Sequence, residues 1–371
     1  MRSMLAALFA IAGLAAPLAG HDAPPPSLAG HDTPAHEYVY VTNWGDATIS
    51  AYRVDGSTGA LTELNGSPYA TEAEPNDLVV DPTNRFLYVV HGESNKMTAY
   101  RIGAKGALTP LPGSPFAAVP GIADFTSVAL DPTGRFLYTT DALNEKIREY
   151  TLDPVTGAPA IPGSAFPLGN NGAGMTVDPS GRFAYAGAFG GNGDDGVSGY
   201  TVDTSTGALS RIAGTPVSVG VRPIDSAVDR TGRHLLVANQ FSNDISRFAI
   251  DPDTGFPAWL GNTAAGNGPT ALAITPSARF VYVTNGLDGT VSAYALDGCS
   301  GALDPVPGGP FPAGAFPNGL AVHPRGRFLY TANRASNAVT GFLIRRNGGL
   351  TTLPGSPFAT GRFPSAIAMT H

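Results

Sequence analysis

Charge and sulfur are scarce in this chain. Of 371 residues only 14% are charged, and the 22 Lys and Arg are outnumbered by 29 Asp and Glu, for a net charge of −7. A phosphate backbone needs a basic footprint, so nucleic acid is not an expected partner. The single cysteine, Cys299, excludes an internal disulfide, a cysteine-rich zinc site and an iron–sulfur cluster together. There is no Gly-x-Ser-x-Gly elbow, no His-Glu-x-x-His pair and no glycine-rich phosphate loop, so no cofactor or metal is expected from motifs. What abounds is turn chemistry, with 47 Gly and 33 Pro beside 43% hydrophobic residues. That is too apolar for a disordered chain and too turn-rich for a helical one.

The only long apolar run opens the chain. Arg2 precedes an Ala- and Leu-rich stretch ending near Leu18, shorter than the roughly 20 residues of a bilayer span, and no cysteine follows it for a lipid anchor. It reads as an export signal over residues 1–20, with an uncleaved anchor as the alternative, so the expected location is secreted or periplasmic, with no membrane span after cleavage. Residues 21–37 are proline-rich and aperiodic and read as a tether; His21, His31 and His36 within it lack the outer groups that orient metal ligands.

Beyond it the chain repeats. Tyr40-Val41-Thr42-Asn43 recurs as Tyr88-Val89-Val90-His91, Tyr138-Thr139-Thr140-Asp141, Tyr185-Ala186-Gly187-Ala188, Leu236-Val237-Ala238-Asn239, Tyr282-Val283-Thr284-Asn285 and Tyr330-Thr331-Ala332-Asn333, at intervals of 46 to 51 residues. A unit of that size built from short strands is a propeller blade. Strand A is a short apolar run such as Asp77 to Val80, and a turn of the Asp131-Pro132-Thr133-Gly134 type leads into strand B at Arg-Phe. Strand C alternates with period two over Thr290 to Leu296, and strand D is expected to stop at phrases such as Leu111-Pro112-Gly113-Ser114-Pro115-Phe116. At Tyr38 the chain enters on a strand B, and Pro364 to Met369 is a strand A with no B after it. Pairing the two completes one blade and removes two open sheet edges. The expected fold is all-β: a seven-bladed propeller of four-stranded antiparallel blades over residues 38–371, closed by the C-terminal strand and monomeric.

The Tyr-Val-Thr-Asn phrases, the turn His323-Pro324-Arg325-Gly326-Arg327-Phe328-Leu329-Tyr330 and the recurring Thr-Gly-Ala-Leu resemble the seven-bladed lactonase family, which includes 6-phosphogluconolactonases and muconate-lactonizing enzymes, across the chain beyond Glu37. The resemblance implies the propeller and a lactonase-type ester hydrolase. The nearest counterparts of the family's Pro-Arg-His phrase and Asn-Glu pair are Arg222-Pro223-Ile224 and Asn239-Gln240.

Antiparallel order puts the A–B and C–D turns on one disc face and the B–C and D–A loops on the other. The first face is nearly the same in every blade, with His234 and His323 in turn or packing roles and Cys299 in an exposed turn. The second varies, so a small polar or anionic molecule is expected there, at the mouth of the channel. Ends of strand B supply His91, Asp141 and several Asn, with Glu93 and Arg334 close behind; starts of strand A supply Asn76, Asp77, Asp124, Arg222, Asp225 and Asn318. The Asn residues also suit turn capping. His91 is the expected general base, Arg222 the group that holds an anion, and Glu93 or Asp225 the one that orients them; a turn histidine is the other reading of His91. Asp194 and Asp195, in the loop Gly190 to Gly196, are a candidate calcium pair or simply part of a flexible loop.

Two functions stay open: an exported lactonase acting on a sugar-acid or related lactone, and a non-catalytic propeller binding a polysaccharide, peptide or protein. The export reading predicts a mature N-terminus between about Ala16 and Pro24; N-terminal sequencing that recovers Met1 from cytosolic protein overturns it.

Overall fold

The repeat becomes seven antiparallel sheets in the computed structural model, which describes residues 37–371 apart from 93, 95, 118–123, 161–164, 170 and 190–194. The expected signal and the linker histidines lie outside the described residues. Among those described, no helix is long and apolar enough to cross a membrane.

The innermost strand A of blades 1 to 7 is Pro364–Met369, Pro75–Val80, Phe125–Leu130, Asn171–Val177, Pro223–Val228, Pro269–Ile274 and Pro317–Val322. Each pairs with a strand B, then C, then D toward the rim. Blade 1 is assembled from both ends of the chain: Val39 faces Met369 and Val41 faces Ile367, while Tyr38 N–H donates to Thr370 Oγ1 and Tyr38 C=O accepts from Thr370 N–H. The ring therefore has no open inner edge.

Strand D departs from expectation. In blades 1, 2, 4, 6 and 7 a Gly-Ser-Pro, Gly-Thr-Pro or Gly-Gly-Pro step interrupts it, and a two-residue piece such as Phe116–Ala117 or Phe358–Ala359 then pairs again with the same strand C. A proline breaks the ladder locally, and the chain rejoins once its N–H groups are free to pair. Blade 5 has no such phrase, and its strand D runs unbroken over Pro257–Ala264.

The recurring Arg-Phe-x-Tyr phrase explains how blades join. The strand B tyrosine reaches the C–D turn of the next blade, where its hydroxyl donates to a glycine carbonyl: Tyr40 to Gly106, Tyr88 to Gly157, Tyr138 to Gly207, Tyr185 to Gly255, Tyr282 to Gly348 and Tyr330 to Gly59, all at 2.7–2.9 Å. The aromatic residue two positions earlier lies against the same glycine. A Cβ on Gly207 would sit 2.5 Å from Phe136, and the glycine's φ of +80° already disfavours any other residue. The preceding arginine stacks on that ring, as Arg327 does on Phe328 at 4.9 Å, and donates to the same turn at Gly56 and Ser57. This contact also confirms that A–B and C–D turns share a face. Blade 5 breaks the pattern: Leu236 replaces the tyrosine, His234 the phenylalanine, and Arg247 of strand C takes the Gly301 carbonyl at 2.9 Å.

Tyr330→Phe removes the hydroxyl that ties blade 7 to blade 1 and leaves the Gly59 carbonyl without it. Denaturant unfolding should show a loss of about 1–3 kcal/mol; an unchanged midpoint would mean that the joint draws nothing from this bond.

Candidate functional site

All seven inner strands contribute to a central cavity of 220 Å³ toward the face of the variable loops, lined among others by Asn76, Asp77, Thr126, Ser127, Gly174, Ile224, Asp225, Thr270, Asn318 and Ser365. Its side chains are aimed by a shift of register early in every strand A, as between Pro75 and Asp77. Such a bulge re-aims one residue, and here it turns the second side chain of the strand toward the next blade. Asn76 donates to Phe125 C=O at 2.9 Å, Thr126 to Gly172 C=O at 2.9 Å, Thr270 to Pro317 C=O at 2.6 Å, Asn318 to Ser365 C=O at 2.6 Å, and Ser365 to Pro75 C=O at 2.6 Å. In blade 5 the equivalent residue is Ile224, which donates nothing. Between blades 4 and 5 the backbones approach instead: a Cβ on Gly174 would lie 2.7 Å from Asp225 Cα.

Asp77 and Asp225 occupy equivalent positions in blades 2 and 5. Asp77 accepts the N–H of Leu78 at 2.8 Å and of Val128 in the next blade at 3.0 Å; Asp225 accepts those of Ser226 and Leu272, both at 2.8 Å. Each keeps a part-open edge on the channel, yet protein surrounds the carboxyl. Burial pushes Asp77 up to about 6 and Asp225 up to about 7, outweighing the backbone donors that pull both down, and the Asp77 charge adds to the rise at Asp225.

The mouth is formed by the residue that precedes each strand A. Glu74, Arg222, Gly268, Phe316 and Phe363 stand there with φ between +53° and +63°, each followed by proline. Asp124 holds the matching place in blade 3, where Ala142 N–H donates to its carbonyl as Gly92 N–H does to that of Glu74. Glu74 Oε2, Asn76 Nδ2 and Asp124 Oδ1 converge over Gly92, within 3.1–3.5 Å of where a Cβ would be. The opposite sign enters through two arginines. Arg222 stacks on Phe189 at 5.1 Å and Phe241 at 4.8 Å, and its buried Nε has no partner; Arg334 stacks on Trp44 at 5.1 Å and Phe363 at 6.0 Å. Flat rings on a guanidinium leave its edge free for an anion.

The expected residues thus divide. Asn76, Asp77, Asp225 and Asn318 line the cavity, and Asp124, Arg222 and Arg334 belong to its mouth. Glu93 lies outside the described residues. His91 and Asp141 are elsewhere, because the end of strand B points into the junction between blades. His91 is fully buried; Nε2 bonds Thr98 Oγ1 and Nδ1 bonds Ala73 C=O at 3.1 Å. Burial pushes its imidazole down to about 4, so it is neutral and without access to the channel. Asp141 is buried against Arg148 at 3.0 Å and Asn144 at 2.8 Å. Both follow a rule kept by Asn43–Ser50, Asn239–Ser246, Asn285–Ser292 and Asn333–Thr340: the end of strand B bonds the residue seven places on, in strand C. The recurring Asn is therefore a hairpin staple. Sequence reasoning missed Glu74, whose signal is the X-Pro step it shares with Arg222 before strand A, and the aromatic partners of Arg222, which lie at the end of strand B in blade 4 (Phe189) and just after it in blade 5 (Phe241).

On the opposite face His323 bonds Glu37 at 2.6 Å and His234 bonds Asp229 at 2.7 Å, and Cys299 is exposed in its turn. Of the calcium pair, Asp194 lies outside the described residues and Asp195 accepts the Arg222 N–H at 2.9 Å. No group of three or more metal-ligating side chains occurs among the described residues.

With this geometry in place, the sequence matches the family described as lactonase, 7-bladed beta-propeller, over residues 29–125, 127–271 and 257–371. A 6-phosphogluconolactonase of Sodalis glossinidius is 26% identical over 73% of this chain and 94% of its own length. One from Formosa agariphila is 38% identical over 100 residues, and this match spans only 28% of that enzyme. A periplasmic gluconolactonase of Pseudomonas aeruginosa shares the fold at a TM-score of 0.73 and 20% identity, over 90% of this chain and 99% of its own.

His91→Asn should keep the staple, since Asn serves there in four other blades. The folded imidazole titrates near 4 and the ordinary value is 6.5. The unfolded chain therefore takes up the proton first, and this share of stability is complete above 6.5 and lost as pH falls toward 4. Melting temperature against pH should be flatter across that window in His91→Asn; parallel curves for variant and wild type would overturn the assignment.

Proposed function

Because this chain belongs to the seven-bladed lactonase propeller family, we propose that it hydrolyses a sugar-acid or related lactone at the channel mouth. The observation that carries the reading is the pair of channel carboxyls, Asp77 and Asp225, raised to about 6 and about 7. Near neutral pH the first is mostly ionised and the second about half protonated, which is the separation that acid–base work needs. Asp77 accepts a proton from water as its oxygen adds to the lactone carbonyl carbon. Asp225 delivers a proton to the ring oxygen as the C–O bond breaks, and one water is consumed to leave a hydroxy acid. Arg222, its guanidinium set at the mouth on the Phe189 and Phe241 rings, supplies positive charge toward the negative charge that grows on the carbonyl oxygen and persists in the product carboxylate. Arg334 adds a second positive edge, while Asn76, Asn318 and the Glu74–Asp124 side meet sugar hydroxyls.

The export reading of residues 1–20 favours a secreted or periplasmic enzyme and hence a lactone without phosphate. The structurally similar Pseudomonas aeruginosa gluconolactonase is periplasmic. One observation favours ligand binding without turnover: Asp77 and Asp225 already accept two backbone N–H groups each.

The test is a lactone panel that includes glucono-δ-lactone, followed above the spontaneous rate. Asp77→Asn and Asp225→Asn should each lose about two to four orders of magnitude in kcat/KM, and His91→Asn should stay close to wild type. The wild-type pH profile should rise through about 6 as Asp77 ionises and fall through about 7 as Asp225 loses its proton. No rate above background on any lactone moves the assignment to the binding protein.

A further inference from the structure

Six of the seven blades carry the strand B staple, and blade 4 does not. In its strand B, Phe183–Phe189, the staple position is Ala188, which faces Gly196 in strand C, so the position taken by Ser50, Thr98 or Ser292 elsewhere falls to Ser198. Ser198 has no side-chain partner from strand B and donates instead to Leu168 C=O at 3.3 Å. Where the missing side chain would lie, between blades 3 and 4, there is a cavity of 370 Å³ separate from the channel. That volume is within the roughly 300–1,000 Å³ of small-molecule sites.

We propose that this cavity is a second ligand site, for a neutral hydroxylated ring such as a pyranose. Its polar wall carries both signs of charge, Asp195 and Arg211, and adds the Ser198 hydroxyl. A net anion gains from the guanidinium and loses to the carboxylate, and a cation does the reverse. Hydroxyl groups are both donors and acceptors and satisfy both walls. Arg211 is held in place by donating to Pro167 C=O at 3.1 Å and Leu168 C=O at 2.8 Å, so it is oriented before a ligand arrives. Leu168, Pro216 and Val217 supply an apolar side for the C–H face of a sugar ring. Asp195 also accepts the Arg222 N–H, so the site borders the channel mouth through one residue.

Ala188→Asn restores the staple of the other blades and places an amide inside the cavity, beside Ser198. It touches no group assigned to the channel. Calorimetric titration of the full chain with methyl β-D-glucopyranoside and with maltose should show binding by the wild type, weakened at least about tenfold in Ala188→Asn. The melting temperature should be equal or higher, and any lactone turnover unchanged. Ser198→Ala keeps the cavity and removes one hydroxyl; it should weaken binding severalfold, and it decides the matter if Ala188→Asn fails to fold. The proposal is overturned if neither saccharide binds the wild type, if both variants bind as tightly as wild type, or if only glycine or D-gluconate binds. A wild type that binds saccharide but hydrolyses no lactone counts against the channel reading alone.

Discussion

The ring depends on one contact made six times, a tyrosine hydroxyl of one blade on a glycine carbonyl of the next. In five of the six a phenylalanine covers the glycine and an arginine covers the phenylalanine, so four residues close the joint from core to solvent; Tyr38 and Glu37 take those two places in the sixth. The contact ties strand B, which belongs to one sheet, to a turn of another. A second set runs the other way near the rim: strand C tyrosines such as Tyr100 and Tyr294 donate to strand D carbonyls of the preceding blade, Ala70 and Ala264, at 2.7 Å. Four junctions carry this second bond, from Tyr52, Tyr100, Tyr200 and Tyr294, and side-chain packing fills the space between blades.

That uniform frame leaves one face free to vary. The inner strands must bond across their own junctions, and the side chains that do so are also the ones that line the channel. Asn76, Thr126, Thr270, Asn318 and Ser365 are engaged with carbonyls of the next blade. Chemistry is left to the places where the girdle is incomplete. Blade 5 puts Ile224 where five other blades put an amide or hydroxyl, and beside it stand Asp225 and Arg222, the carboxyl with the higher proton affinity and the arginine stacked between two rings.

The repeat period was enough to place the strands, the closure and the channel residues, because position within strand A decides what faces the axis. Asp77 and Asp225 were legible for that reason. His91 misled because it differs chemically from the asparagines at its position, while the geometry of the position does not differ. The signal was present, since each staple residue has a polar partner seven places later, but the period of the blades draws the eye away from a spacing inside the hairpin. Glu74 was hidden differently: only alignment of the X-Pro steps shows that it stands where Arg222 does. Strand D was misjudged because a proline phrase reads as an end, and the ladder resumes at Phe116, directly after Pro115.

Blade 1 has one more consequence, and it concerns time. Its strands B and C come from the first stretch of the propeller, and its strand A is synthesised last; the bond from Tyr38 to Thr370 spans 332 residues. Blades 2 to 7 can form one after another as the chain leaves the ribosome, each from local pairings. Blade 1 stays a three-stranded fragment, with Val39 and Val41 on an unpaired edge, until Thr370 has emerged. Loop closure over that distance brings the slowest step to the end. For the whole of synthesis the nascent chain exposes a sticky edge that any passing strand could occupy, and the C-terminal segment is the cap that arrives to exclude it.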